Sequence, residues 1–292
     1  MEPTHTPDVD FGTHAHDLEQ GDLLWSPVTE QVADWLPVPA GATVADVGCG
    51  TGEMTLRLAR RVGPGGRVLA VDRETALLER VRQRAAAAGL GERVTTVLAA
   101  MEDLPDALPE PVALVWAGHV VHHAGDQAAA LGRLSGSLAP GGVLAVAEGS
   151  PPSRRLPWDV GVGRPGIEVR LEAANAEWFA AMRAGLPGSV RDPRGWPSLL
   201  RAAGLDGVTS HGWLLHLPAP LSGRRLAAVL QGLAGRVEGA RPWLAEDDLA
   251  AWERLLDEDG PDWLGGRDDI ELVAAEVVYT GVRNPGGGSR VS

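Results

Sequence analysis

The chain has 292 residues, 44% of them hydrophobic, with 26 basic side chains against 39 acidic ones, a formal net charge of −13 and a single cysteine. That is enough apolar material for a sizeable core, which excludes a disordered linker, a collagen or a small disulfide scaffold. The acidic balance disfavours a nucleic-acid substrate, whose phosphates are gripped by basic faces, and no run approaches the roughly eighteen apolar residues of a membrane span.

Residues 1 to about 18 are polar, His-rich and aperiodic, and read as a mobile arm. The amino end, MEPTHTPDVD, has neither the basic start nor the apolar stretch of a secretory leader, and one cysteine makes no internal disulfide, so a cytoplasmic protein is expected. A helix is predicted from Asp17 to Leu36. From Pro37 short apolar runs alternate with Ala/Arg/Leu-rich segments of helical length, the pattern of a parallel sheet wrapped by helices. Strands are predicted at Ala42–Val47, Arg67–Val71, Val94–Leu98, Val112–Trp116 and Val143–Ala147, with helices at Glu53–Val62, Glu74–Ala88 and Gln127–Leu138 between them. Ala88-Gly89 and Leu138-Ala-Pro-Gly-Gly142 supply helix stop signals.

After Ser150 the composition turns to Pro, Trp and Arg, a loop, followed by helices at Ile167–Ala184 and Pro197–Ala203 and a strand at Val208–Leu217. An insertion from Pro218 to about Gly266 carries helical segments at Gly223–Glu238 and Ala245–Asp257, whose apolar stripes suit a cap over the functional edge of the sheet. A last strand, Ile270–Val282, precedes a flexible PGGGSRVS tail. The fold expected is α/β: a Rossmann-like, seven-stranded, mostly parallel sheet with helices on both faces and helical cap segments. It forms one domain of five parts: residues 1–36 (arm and lid helix), 37–150 (core), 151–217 (substrate-side helices and sixth strand), 218–266 (insertion) and 267–292 (last strand and tail).

The sharpest local feature is Val44-Ala-Asp46-Val-Gly48-Cys49-Gly50-Thr-Gly52-Glu53: an apolar strand, an acid inside it, a glycine-rich turn and a helix start. Such glycines let backbone N–H groups approach a ligand, and the helix start favours an anionic group. A dinucleotide G-x-G-x-x-G fingerprint would need its third glycine at position 53, where Glu53 stands instead, so a pyrophosphate is disfavoured. With its D-x-G-x-G-x-G at Asp46, Gly48, Gly50 and Gly52, the chain resembles class I S-adenosylmethionine (SAM)-dependent methyltransferases of the small-molecule kind, motif by motif over residues 38–147. The resemblance implies that Asp72, ending Val68-Leu-Ala-Val-Asp72, holds ribose hydroxyls, with Arg73 beside it. It implies that Met101 lies against adenine and Glu102 or its neighbour faces its amino group, although the family's first Asp of that stretch is Ala100 here. Trp116-Ala-Gly118-His-Val-Val-His-His123 is similar to the stretch that lines the methyl end, and Trp25 is the candidate aromatic of a lid helix.

Methyl transfer is an in-line displacement in which the protein aligns the reactants and removes a proton from some acceptors. His119, His122 and His123 share one face if the segment after Gly118 is helical; His122 is the expected base, with Glu148 at the end of the fifth strand orienting it and His119 as an alternative. Cys49 reads as a small residue between ligand-binding glycines, not a nucleophile. His14 and His16 lie in the polar arm, and His211 and His216 point to opposite faces of a strand; no metal is expected. The cofactor implied is SAM, leaving as S-adenosylhomocysteine (SAH); the partner is a small-molecule acceptor, with no nucleic acid, no membrane and a homodimer left open. Trp158, Trp178, Trp196 and Trp213 suit the roof of a pocket for a flat aromatic metabolite methylated on O, N or C. Two alternatives stand beside this: a NAD-type oxidoreductase on the same fold, and a SAM-binding protein that methylates nothing.

Overall fold

The computed structural model describes residues 15–284; the expected arm before residue 15, His14, and the expected tail lie outside the described residues. Fifteen long elements follow in chain order: α1 (Ala15–Trp35), β1 (Thr43–Val47), α2 (Glu53–Arg61), β2 (Arg67–Asp72), α3 (Thr75–Ala87), β3 (Val94–Leu98), β4 (Val112–Gly118), α4 (Gln127–Gly136), β5 (Leu138–Ala147), α5 (Ile167–Gly185), α6 (Trp196–Ala202), β6 (Leu205–Leu217), α7 (Gly223–Ala240), α8 (Glu246–Leu256) and β7 (Leu272–Arg283).

The strands form one seven-stranded sheet in the order β3-β2-β1-β4-β5-β7-β6. The first five pair in parallel, whereas β7 runs antiparallel to both β5 and β6. The parallel strands read as near-continuous apolar runs because both faces are covered: Val44, Leu114 and Trp116 point into one core layer, and Ala45, Val47 and Val115 into the other. Ligands of such sheets bind beyond the strand carboxyl ends where the winding direction reverses, here between β1 and β4.

The expected strands and helices of the core all form, with edges shifted by a few residues. The stop signal at 138–142 is the largest departure. The α4 helix, whose first turn is capped by the Asp126 carboxylate accepting from Ala129 N at 2.9 Å, ends at Gly136, and Leu138 already pairs with Val112. The register then jumps to Leu114 and Val143, so Ala139–Gly142 bulge out of the strand instead of closing the helix.

Leu24, Val28 and Val32 of α1, and Leu36 just past its end, recur at four-residue spacing, and all are buried. Glu30 and Asp34 on the same helix meet Arg61 of α2, while Glu19 meets Arg80 of α3. Exposed pairs of this kind contribute about 0–1 kcal/mol each, so the apolar stripe dominates the hold on α1. The inserted α7 packs against both α1 and α5. It backs α1 from outside, and no residue of 218–266 reaches the main cavity described below. No described helix is long and apolar enough to cross a membrane.

Candidate active site

A cavity of about 540 Å³ opens at the carboxyl ends of β1 to β4, under α1, within the range of small-molecule sites. Its floor is the glycine turn. Gly48 has φ +66°, and a Cβ there would lie 2.4 Å from the Val120 side chain, so the β1 turn and the loop after β4 touch only because position 48 has no side chain. Gly48 N and Cys49 N donate to Val71 O at 2.8 and 3.0 Å, tying the turn to β2. At Gly50, with φ +52°, an added Cβ would meet no protein atom within 4 Å.

Asp72 ends β2 at the cavity wall. Its carboxylate accepts from Gly50 N and Glu74 N, each at 3.0 Å, so the acid is oriented by backbone on both sides. Burial pushes its pKa up, with those N–H groups offsetting part of the shift. Asp46 is more extreme: buried inside β1 and accepting from Thr55 Oγ at 2.5 Å, it is pushed up to about 7, chiefly by desolvation. Cys49 is buried, and burial together with Asp46 and Asp72 holds its thiol well above the ordinary value, which removes it as a nucleophile.

The expected cofactor residues Trp25, Asp46, Gly48, Cys49, Gly50, Asp72, Arg73, Met101, Glu102 and Gly118 all line this one cavity. Gly52 does not; with φ +87° it is the N-cap of α2, and its role is conformational. Asp22, Thr51 and Glu276 are among the lining residues that the sequence reading does not name. Asp22 of α1 accepts from Thr51 Oγ at 2.6 Å and from Arg84 of α3 at 3.0 Å, while Arg84 also donates to Thr51 O at 2.9 Å. A guanidinium thus stitches α1 to the glycine turn. Glu53, the residue that breaks the dinucleotide pattern, pairs with Arg84 at 2.5 Å and Arg57 at 2.6 Å, so its obstruction of a pyrophosphate rests on bulk and position, its charge being matched.

The histidine segment corrects the sequence reading. No helix follows Gly118: His119 has φ +53°, its N donates to Ala147 O at 2.9 Å, and only Val121–His123 coil into a single 3-10 turn. The three rings therefore do not share a helix face. His122 Nδ1 lies 2.9 and 3.1 Å from the two Glu148 oxygens, and His122 N donates to the same carboxylate at 3.2 Å, so the expected pair forms. His122 and Glu148 are absent from the cavity lining, whereas His119 and His123 belong to it.

His119 Nε2 sits 2.8 Å from Glu276 Oε2 of β7, and Glu276 Oε1 accepts from Ser150 Oγ at 2.6 Å and from Val277 N at 3.1 Å. Desolvation alone would lower the His119 pKa; the Glu276 hydrogen bond and charge outweigh it and hold the ring above its ordinary value, while His119 in turn holds Glu276 down against its own burial. The ring is 58% open because it faces the cavity, whose walls still desolvate it. His123 goes the other way, pulled down to about 4 by burial and by the charge of His122, so it is neutral near pH 7.

None of Trp158, Trp178, Trp196 and Trp213 roofs this cavity. Trp158 is 68% exposed, and Trp213 packs edge-on against Trp35 and His211 on the outer strand pair. The cavity tryptophans are Trp25 and Trp116. His211 stacks on Trp35 and His216 meets Glu271 at 3.1 Å; among the described residues no group of three or more His, Cys, Asp or Glu is arranged to hold a metal ion.

A glycine cradle and a strand-end acid at the switch point of a doubly wound sheet define a nucleotide-type α/β ligand fold. Residues 44–142 match the profile of a methyltransferase domain. Trans-aconitate 2-methyltransferase of Paracidovorax citrulli is 38% identical over 111 residues, covering 38% of this chain and 40% of the relative, so the chain spans well under half of that relative's length. The protein of the same name from Methylobacterium nodulans is 33% identical over 252 residues, 82% of this chain and 88% of its own length. A candidate methyltransferase structure from Bacillus halodurans superposes with a TM-score of 0.54 at 14% identity, covering 88% of this chain and 98% of that one, which shows a shared fold. The chain belongs to the SAM-dependent methyltransferase family.

Proposed function

We propose that the protein transfers a methyl group from SAM to a small-molecule acceptor with an apolar or aromatic body. The observation that carries this reading is one continuous cavity, with the glycine turn, Asp72 and Met101 at one end and His119 and His123 at the other, under Trp25. The residues present fit the cofactor: Gly50 keeps the wall free of a side chain, and Asp72 is held by two backbone N–H groups while its outer lone pairs suit a vicinal diol. When bound, SAM supplies a methyl on a sulfonium, and loss of that methyl leaves SAH.

This chain's own part is binding, exclusion of water and proton handling. Asp72 and Glu102 would hold the polar ends of the nucleoside, Met101 its apolar face, and Trp25 would shut the lid side. The acidic lining favours a cationic sulfonium. His122 and Glu148 fix the turn that carries His123, a positioning role in this reading, because a base must come within hydrogen-bond reach of the acceptor and His119 is the cavity-facing ring with a carboxylate behind it. The trans-aconitate relatives support the small-molecule class of the acceptor.

Calorimetric titration with SAM, SAH and NAD, for the wild type and Asp72→Ala, tests the reading. Binding of the adenosyl sulfur ligands alone, weakened by the substitution, is expected. Binding of NAD alone would overturn it.

A further inference from the structure

The charges that line the cavity are lopsided. Asp22, Asp46, Glu53, Asp72, Glu102 and Glu276 contribute carboxylates, of which Asp22 and Glu53 are paired with Arg84 and Arg57, and Arg73 is the one arginine among the described lining residues. Arg73 sits beside Asp72, lies 3.6 Å from Glu74, and its charge also acts on His123. Arg183, the basic side chain nearest the histidine turn, is spent on the carbonyls of His122, Ala124 and Gly125. At the far end Glu276 pairs with His119 and balances its charge whenever the ring is protonated. Val28 and Val32 from α1 and Trp116 from β4 add apolar surface to the lining.

From this we propose that the acceptor is an uncharged molecule with an apolar body and one hydroxyl seated on His119 Nδ1, and that Glu276 is the positioning residue that makes this nitrogen the proton acceptor and turns polycarboxylates away. The inference rests on the methyl-transfer reading and deepens it.

The tautomer follows from the pairing. With Glu276 accepting from Nε2–H, the neutral ring carries its lone pair on Nδ1, which has no hydrogen-bond partner among the described residues. As the acceptor O–H bond breaks, its electron pair stays on oxygen and the proton bonds to Nδ1. The imidazolium that results is balanced by Glu276, as a carboxylate behind an imidazole does in catalytic triads. The other charged group acting on His119 is also acidic: Glu148, past β5. The left-handed backbone of His119 is the kind of strain that persists where the surroundings fix a side chain in a required place. A tricarboxylate such as trans-aconitate would lose its hydration among these carboxylates, with Arg73 the one lining arginine to receive three negative charges.

The test uses the SAH-loaded protein, so SAH binding is read first: a wild type that does not bind SAH overturns the methyl-transfer reading itself. Acceptor binding is then measured by calorimetry with 1-naphthol and with trans-aconitate. The expected result is binding of 1-naphthol and none of trans-aconitate, with 1-naphthol weakened about 10-fold by His119→Asn, the loss of one hydrogen bond to a partly buried group. Asn tolerates the left-handed backbone at this position, so the variant should fold. In Glu276→Gln, the ring titration of His119 followed by NMR should move to lower pH while SAH affinity stays unchanged. Trans-aconitate binding, 1-naphthol failing to bind or ignoring His119→Asn, or an unmoved ring titration would each overturn the proposal.

Discussion

At the glycine-turn end of the cavity, the lining acids and glycines come from one stretch of chain, Asp46 to Glu102, and from consecutive parallel strands; at the histidine end His119 meets Glu276 across 157 residues of sequence. The first end is built by turns whose geometry is local, a glycine loop and strand tips held by backbone N–H groups. The second depends on β7, the strand that runs against its neighbours and carries Glu276 into register opposite Trp213. One end is thus fixed by the core of the fold, the other by how the late elements dock on it.

The largest effect should come from breaking the local end. Gly48→Ala forces a Cβ to 2.4 Å from Val120 at a left-handed residue, a clash plus strain costing on the order of 2–4 kcal/mol, with SAH binding lost; thermal unfolding and calorimetry check both. Next, Asp72→Ala removes a charged acceptor and should weaken SAH about 10- to 100-fold, since hydrogen bonds to charged groups are worth about 1.5–3 kcal/mol. Asp46 offers a pH test. Its folded pKa of about 7 lies above the unfolded value of 3.8, so the folded state holds a proton the unfolded state releases, and stability drains away as pH rises between those values. Asp46→Asn should therefore gain several degrees of melting temperature relative to wild type at pH 8, and less at pH 5. The smallest effect belongs to the seam between the ends: Asp22→Asn loosens the Thr51 and Arg84 contacts and should weaken SAH about 3- to 10-fold, with faster amide exchange in α1.

The same contrast explains what was legible in the sequence. Strand runs, the glycine turn and Asp72 are short-range patterns, and the parallel core could be read from them nearly residue by residue. The Asp22–Thr51–Arg84 link joins three elements through side chains with no shared motif, so nothing in the sequence announced it. Glu276 did leave a signal that went unread: it is the only charge in the otherwise apolar or neutral run Leu272–Val282. The histidines failed as a helix because Gly118-His119 turns back on β5 through the His119 N to Ala147 O bond, a contact invisible to periodicity. The four tryptophans were judged by composition, which does not encode the face on which a side chain lands.

Arg183 of α5 gives the histidine turn an unusual suspension: three backbone carbonyls, at His122, Ala124 and Gly125, hang from one guanidinium that burial already pulls below its ordinary pKa. Because α5 packs on α7, a substitution in the insertion that nudges α5 would retune the spacing of His119 and His123 without altering any residue of the cavity. The histidine turn is thus tied to a mounting on α5, outside the cavity lining.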